Sequence, residues 1–289
     1  DKLISLVITT INPDAEILKK NIDLFNKFNL SSYIVLDRKV SDIYSDPFIN
    51  FVSQPENLYE RLAEWDNYSR KNIGYIRSFK AKNEWTFETD DDNLILIDPR
   101  KILNYLEESY PTVLDKTYPN LFPEIYKTNS NLWARGYMIS EIEKNKENLI
   151  NTDNKININP SLTPIVQFLV EGSPDVDSII RLVLGHDISF EINQGYSGFA
   201  LQNSFHPFNS QGTLWHKDFL HLAYLPATCT FRMTDIYRGY IAQNILYKHN
   251  KNLLFCPAIL KQIRNQHSLY HDFRDEHESY LSMPKFLEI

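Results

Sequence analysis

The sequence predicts an α/β fold in which a mostly parallel central sheet is flanked by helices. Three observations carry this reading. Residues 3–10, Leu-Ile-Ser-Leu-Val-Ile-Thr-Thr, form an apolar, β-branched run closed by Asn12-Pro13-Asp14. The next segment places Ile17, Leu18, Ile22, Leu24 and Phe25 at helical spacing. A second strand-like run covers 32–37, and Phe51-Val52-Ser53 supplies a third. A β-α-β order with short connections specifies parallel strands joined by right-handed crossovers.

Further along, a helical pattern spans 58–82, with Trp65, Tyr68, Ile73, Ile76 and Phe79 on one side. The strand-like Trp85-Thr86-Phe87-Glu88 follows, and directly after it comes Thr89-Asp90-Asp91-Asp92-Asn93. Three consecutive carboxylates repel one another and destabilise the chain unless solvent or a cation compensates. Asp and Asn are also common turn formers, so a solvated loop is the competing reading. Position favours a site, because an open α/β sheet binds ligands beyond the carboxyl ends of its strands. If the cluster extends the strand, Asp90 and Asp92 face one way and Asp91 the other. If a cation sits there, that alternation favours Asp90 and Asp92 over Asp91 as its ligands.

The second half is less regular. Residues 115–163 are rich in Pro, Asn and Tyr, and Glu141-Ile142-Glu143-Lys144-Asn145-Lys146 reads as a solvated tip. Helical signals return at 164–185 and 234–249, separated by a Gly-, Asn- and Ser-rich stretch at 193–213. Ser173-Pro174 resembles a helix start with Asp175 and Asp177 near its positive end. No repeat or linker divides the chain. The expectation is therefore one domain over 1–289, with a nucleotide-binding half at 1–110 and an acceptor-binding half at 111–289.

Composition narrows the function classes. The net charge is −7, and no basic run could neutralise a nucleic-acid backbone. No run of about 18 apolar residues suits a membrane-spanning helix. Two cysteines, Cys229 and Cys256, lack metal or disulfide-framework spacing and suggest a reducing compartment. His267, His271 and His277 show no metal-ligand spacing and read as surface residues. The chain starts at Asp1 without Met and reads as a trimmed or processed piece; a cytoplasmic setting is expected, with any membrane association supplied by regions outside it.

Several segments carry two readings each. In Arg70-Lys71-Asn72-Ile73-Gly74-Tyr75 the cations suit a diphosphate. Gly74, costly inside a helix, suggests close approach by a ligand or another backbone. The alternative is a basic helix face with a packing glycine. The loop Phe208-Asn209-Ser210-Gln211-Gly212-Thr213-Leu214-Trp215 is polar and ends in an aromatic, which suits sugar hydroxyls and stacking, but ordinary turns look the same. Thr234 or Asp235 is placed to cap the 234–249 helix, and a carboxylate there also suits a general base.

Taken in order, these motifs, with Gly172-Ser173-Pro174-Asp175-Val176-Asp177, Phe231-Arg232-Met233-Thr234-Asp235-Ile236-Tyr237-Arg238 and Trp133-Ala134-Arg135-Gly136-Tyr137, resemble the STELLO-like proteins over residues 3–250. The resemblance implies a Rossmann-like, GT-A-type glycosyltransferase with a DXD motif. It implies a UDP-sugar donor, a glycan or lipid-linked acceptor and a divalent metal, Mn2+ or Mg2+. It makes Thr9, Thr10, Asp37, Arg70, Asn72, Gly74 and Asp91 donor-binding, with Asp90 and Asp92 on the metal. Asn209, Gln211, Trp215 and Arg232 become acceptor-binding, and Asp235 the base. A nucleotide-sugar mutase and a non-catalytic nucleotide-sugar-binding module are the rival expectations.

Overall fold

In the structure, a computed structural model, the described residues are 3–12, 14–40, 50–52, 54–113, 117–127, 132–144, 150–185, 191–193, 195–263 and 268–288. Pro13, Ser53, Asn145, Lys146 and His267, each singled out in the sequence, lie outside them. The chain opens with β1 (Ile4–Thr10), α1 (Glu16–Lys27), β2 (Ser31–Leu36) and β3 (Asn50–Val52). Strands β1, β2 and β3 pair in parallel, as the β-α-β pattern requires.

Next come α2 (Leu58–Arg61), a 3-10 turn at Tyr68–Arg70, α3 (Lys71–Lys80), β4 (Trp85–Thr89) and β5 (Asn93–Ile95). Strand β4 pairs in parallel with the other edge of β1. The helical pattern over 58–82 is divided between two helices and a 3-10 turn. Asn57 caps Glu60 N–H, Asn67 caps Ser69 N–H, and Asp66 adopts φ +55°, so the chain restarts its helix.

The second half contributes β6 (Ser109–Val113), α4 (Phe122–Ile125), β7 (Tyr126–Lys127), β8 (Ile150–Asn157), β9 (Ile165–Glu171) and α5 (Ser178–Leu184). Then follow β10 (Glu191–Ile192), β11 (Phe199–Leu201), β12 (Gly212–His216), α6 (Thr234–Lys248), β13 (Leu253–Gln262) and α7 (Leu269–Phe286). The helix expected at 164–185 is a strand over its first part, because Ile-Val-Gln-Phe-Leu-Val is buried on both faces and pairs with β12 and β13. Helix α5 begins only at Ser178, capped by Asp177 rather than by Ser173.

One mixed sheet of order β3-β2-β1-β4-β12-β9-β13-β11-β6-β8 results, with β5 alongside β13. Its central strands are mostly parallel and helices cover both faces, the α/β class expected. Alternate residues enter two cores. Val7, Tyr33, Tyr75 and Trp215 pack on one face with α6, while Leu6, Ile8, Phe87 and Leu214 pack on the other with Leu18, Ile22 and Phe25 of α1. Since β1, β2, β4 and β9 run the same way and β12 runs against them, Thr10, Leu36, Thr89 and the start of β12 meet at one edge.

Candidate active site

That edge holds the acidic cluster. Strand β4 ends at Thr89, and Asp90–Asp92 form a turn in which Asn93 N–H donates to the Asp90 carbonyl at 3.2 Å. Because the three residues turn, strand alternation does not govern them, and the expectation that Asp90 and Asp92 share a face is corrected. Each carboxylate has its own partners. Lys71 Nζ donates to Asp90 Oδ1 at 2.9 Å, and the Tyr68 hydroxyl donates to the same oxygen. Thr10 Oγ1 donates to Asp91 Oδ2 at 2.6 Å, and Gln262 Nε2 donates to Asp92 Oδ2 at 3.0 Å. Burial raises the Asp91 carboxyl above its usual range, with the Thr10 hydrogen bond opposing.

Facing Asp90 is a second group, carried by the 207–211 loop, the first turn of α6 and the segment around Arg135. Tyr68 joins the two groups: its hydroxyl also hydrogen-bonds Ser210 Oγ. Burial, reinforced by Asp90 and Asp235, keeps that hydroxyl protonated. Ser210 donates its N–H at 3.2 Å and its Oγ–H at 3.3 Å to Asp235 Oδ2. Arg135, 5% exposed, lies between two carboxylates, reaching Asp235 at 3.0 and 3.1 Å and Asp175 at 2.7 Å. Burial alone would raise Asp175, but the charge and hydrogen bonds of Arg135 hold it well below the usual carboxylate range. Asn209 Nδ2 donates to Asp175 Oδ2 at 2.7 Å and to Gln211 Oε1 at 3.1 Å. The edge is thus one hydrogen-bonded network from Asp90 to Gln211.

Asp235 lies in the first turn of α6 without capping it, and neither does Thr234, whose hydroxyl donates to the Pro226 carbonyl. The Asp235 carboxylate is buried with both oxygens engaged. Tyr68, Lys71, Ser210, Arg135 and Asp175 complete the network; in the sequence Lys71 stands out by its charge, Ser210 as part of a polar loop, and Arg135 and Asp175 as parts of motifs, none with a role of its own. The Trp133–Tyr137 motif was the one local signal for Arg135.

Other expected residues stand elsewhere. Trp215 is 0% exposed and donates Nε1–H to Glu88 Oε1 at 2.7 Å, with Arg238 over its ring, so it belongs to the core and stacking on an acceptor is corrected. Gly74 packs α3 on the sheet: a Cβ there would lie 2.5 Å from Val7 Cγ1 and 3.2 Å from Val35 Cγ2, so close packing on these strand side chains, not ligand approach, requires it. Asn72 exchanges two hydrogen bonds with the Leu225 backbone, at 2.9 and 2.8 Å, and ties α3 to the 217–227 segment rather than facing the acidic turn. Arg232 is bound to Glu276 of α7 at 2.7 Å, while its carbonyl accepts from Arg135. Its side chain braces α7 instead of reaching the network. At the end of β2, Arg70 lies over Trp65 at 3.5 Å and 4.0 Å from Asp37, which also accepts the N–H groups of Arg38 and Asp66. Thr9, on the α3 side of β1, has a buried Oγ1 with no hydrogen-bond partner among the described residues.

Among the described residues no group of three or more His, Cys, Asp or Glu side chains is arranged to hold an ion alone. A Mg2+ or Mn2+ site completed by substrate phosphates and water needs only one or two protein carboxylates. The half-buried Asp90 and Asp92 fit a site of that kind. No helix of the described residues is long and apolar enough to cross a membrane.

No family model matches the chain. It is 24% identical over 263 residues to the probable glycosyltransferase STELLO2 of Arabidopsis thaliana, and 23% identical over 224 residues to the probable glycosyltransferase STELLO1 of the same plant. These matches bear out the likeness drawn from the ordered motifs. They take in 83% and 70% of this chain but 33% and 28% of the plant proteins, so the chain spans about a third of their length. Among solved structures it is similar to glucosyl-3-phosphoglycerate synthase from Mycobacterium tuberculosis. With Mn2+, UDP-glucose and phosphoglyceric acid bound, that protein aligns at TM-score 0.49 and 11% identity, over 100% of this chain and 80% of the other. Its UDP complex aligns at 0.46 and 10%, over 100% and 81%.

Proposed function

We propose that this chain is the catalytic domain of a metal-dependent glycosyltransferase. It would move a sugar from a nucleoside diphosphate sugar, a UDP-sugar, to a hydroxyl of a glycan or lipid-linked acceptor. The observation that carries the reading is the acidic turn at the end of β4, hydrogen-bonded through Tyr68 to the Ser210–Asp235–Arg135 group. In this reading Thr9, Thr10, Asp37 and Arg70 at the ends of β1 and β2 meet the nucleoside and its phosphates. Asp91 accepts the Thr10 hydroxyl and holds it in place. Asp90 and Asp92 would hold the metal, which when bound neutralises the leaving diphosphate. Asn209 and Gln211 are the acceptor-side hydrogen-bonding groups.

Asp235 is proposed here as the residue that orders the acceptor side. Both of its oxygens are already engaged, Oδ1 by Arg135 and Oδ2 by Arg135 and Ser210, so its present partners suit positioning better than proton abstraction. Asp235→Asn separates the roles. Loss of a positioning contact should raise the acceptor KM, and Ser210→Ala should reproduce it. Loss of a base should cut kcat by about 10²–10⁴-fold at unchanged KM and remove the acid limb of the pH profile.

A panel of nucleotide sugars in thermal-shift assays, with and without Mn2+, tests the reading itself. A UDP-sugar should stabilise the wild type more when Mn2+ is present, and Asp92→Ala should abolish that increment while keeping the melting temperature of the free protein. If no nucleotide sugar shifts the wild type under either condition, the proposal fails.

A further inference from the structure

Beside the site, and outside its network, lies a groove of about 780 Å³ between α3 and the 217–227 segment. Its size and its mainly apolar, aromatic lining match those of ligand sites rather than of packing defects. Tyr59, Leu62, Phe79 and Tyr224 form its rim at 74, 67, 62 and 61% exposure, a cluster of large apolar side chains left in solvent. The walls are fixed: Asn72 exchanges hydrogen bonds with Leu225, and Asn67 Nδ2 donates to the Ala227 carbonyl at 3.0 Å.

Two features point to a ligand with a polar group at one end. Ser69 lines the groove and is 1% exposed, yet its Oγ has no hydrogen-bond partner among the described residues. An unsatisfied hydroxyl in such a setting costs stability that a bound polar group would return. Ser69 sits between Tyr68 and Arg70, both at the proposed donor edge. Tyr75 is shared as well: it lines the groove while its hydroxyl donates to Glu88, next to Lys71. Tyr75 thus lines the groove and bonds the buried Glu88 on the site side.

We propose that this groove binds the hydrocarbon chain of an amphiphilic, lipid-linked acceptor, whose polar end lies toward Ser69; this rests on the transferase reading above. Calorimetric titration of the purified protein with dodecanol, with butanol as control and no sugar donor present, tests it. Dodecanol should bind at one site and butanol should not. Leu62→Asp and Phe79→Asp, both at exposed positions, should each weaken dodecanol about tenfold or more while leaving melting temperature and circular dichroism unchanged. Ser69→Ala should weaken dodecanol and leave dodecane binding as it was. Absence of dodecanol binding overturns the proposal, as does binding that both Asp variants leave intact. Dimers that Leu62→Asp dissociates, in a protein that ignores dodecanol, would instead make the groove a self-contact. The two readings fail separately. Dodecanol binding without sugar transfer to any acceptor sinks only the transferase, whereas transfer to a soluble glycan without dodecanol binding sinks only the groove.

Discussion

Lys71 is the residue on which the site's charge balance turns. It is 0% exposed, 2.9 Å from Asp90 and 3.9 Å from Glu88, so one ammonium serves two carboxylates. Removing the ammonium leaves Glu88 still paired with Arg238 at 3.0 Å and Asp90 partly in water, so the cost falls below that of a fully uncompensated buried charge, at about 1–3 kcal/mol. Lys71→Met should therefore lower stability by that order in urea titration. A loss under about 1 kcal/mol would mean that Arg238 and water together compensate both carboxylates without Lys71. Gly74 tests the opposite kind of claim. Helix propensity alone would make Gly74→Ala stabilising by about 1 kcal/mol. The 2.5 Å approach to Val7 predicts a net loss of about 1–3 kcal/mol instead, with donor affinity unchanged. The sequence exposed both residues as unusual but could not tell packing from binding, because Val7 lies far from Gly74 along the chain and beside it only in the fold.

At the scale of elements, α5 and α7 are joined through carboxylates. Asp177 caps α5 at Ile179 N–H and accepts the Tyr280 hydroxyl, while Glu276 accepts from Ser178 N–H and from Arg232. Burial, and then the neighbouring Glu276 charge, push the Asp177 carboxyl up to about 6. A carboxyl raised on folding binds a proton in the native state that the unfolded chain has released. Its stabilisation is complete below the ordinary Asp range and disappears as pH rises through about 6. Stability should thus fall between about pH 4 and 6, and Asp177→Asn, which keeps the cap, should flatten that slope in urea midpoints. Asp175 acts with the opposite sign: held low by Arg135, it loses its contribution only as the pH falls below the usual carboxylate range. The boundaries of these elements were poorly legible. The apolar run at 165–171 has no alternation to separate a buried strand from a helix, and only its pairing with β12 and β13 decides.

For the whole molecule, the proposed donor binding would be linked to folding. A ligand at about a hundredfold excess over its Kd stabilises by about 2.7 kcal/mol, or roughly 5 °C for a chain of this size. A UDP-sugar with Mn2+ should reach that shift, and Lys71→Met should reduce it, since Asp90 would lose its partner. An equal shift in that variant would place the donor away from the acidic turn.

The sequence by itself determined the β-α-β opening, the parallel strands at its start, the acidic cluster at a strand end and the motif order shared with STELLO-like proteins. These are local properties, written in periodicity, turn residues and short motifs. Only the tertiary structure decided that residues 90–92 turn, that Trp215 is core, and that Arg135 meets Asp235 from 100 positions away. Such pairings depend on which strands become neighbours. The β4–β12–β9 contacts that set them join segments whose spacing along the chain carries no signal of their approach.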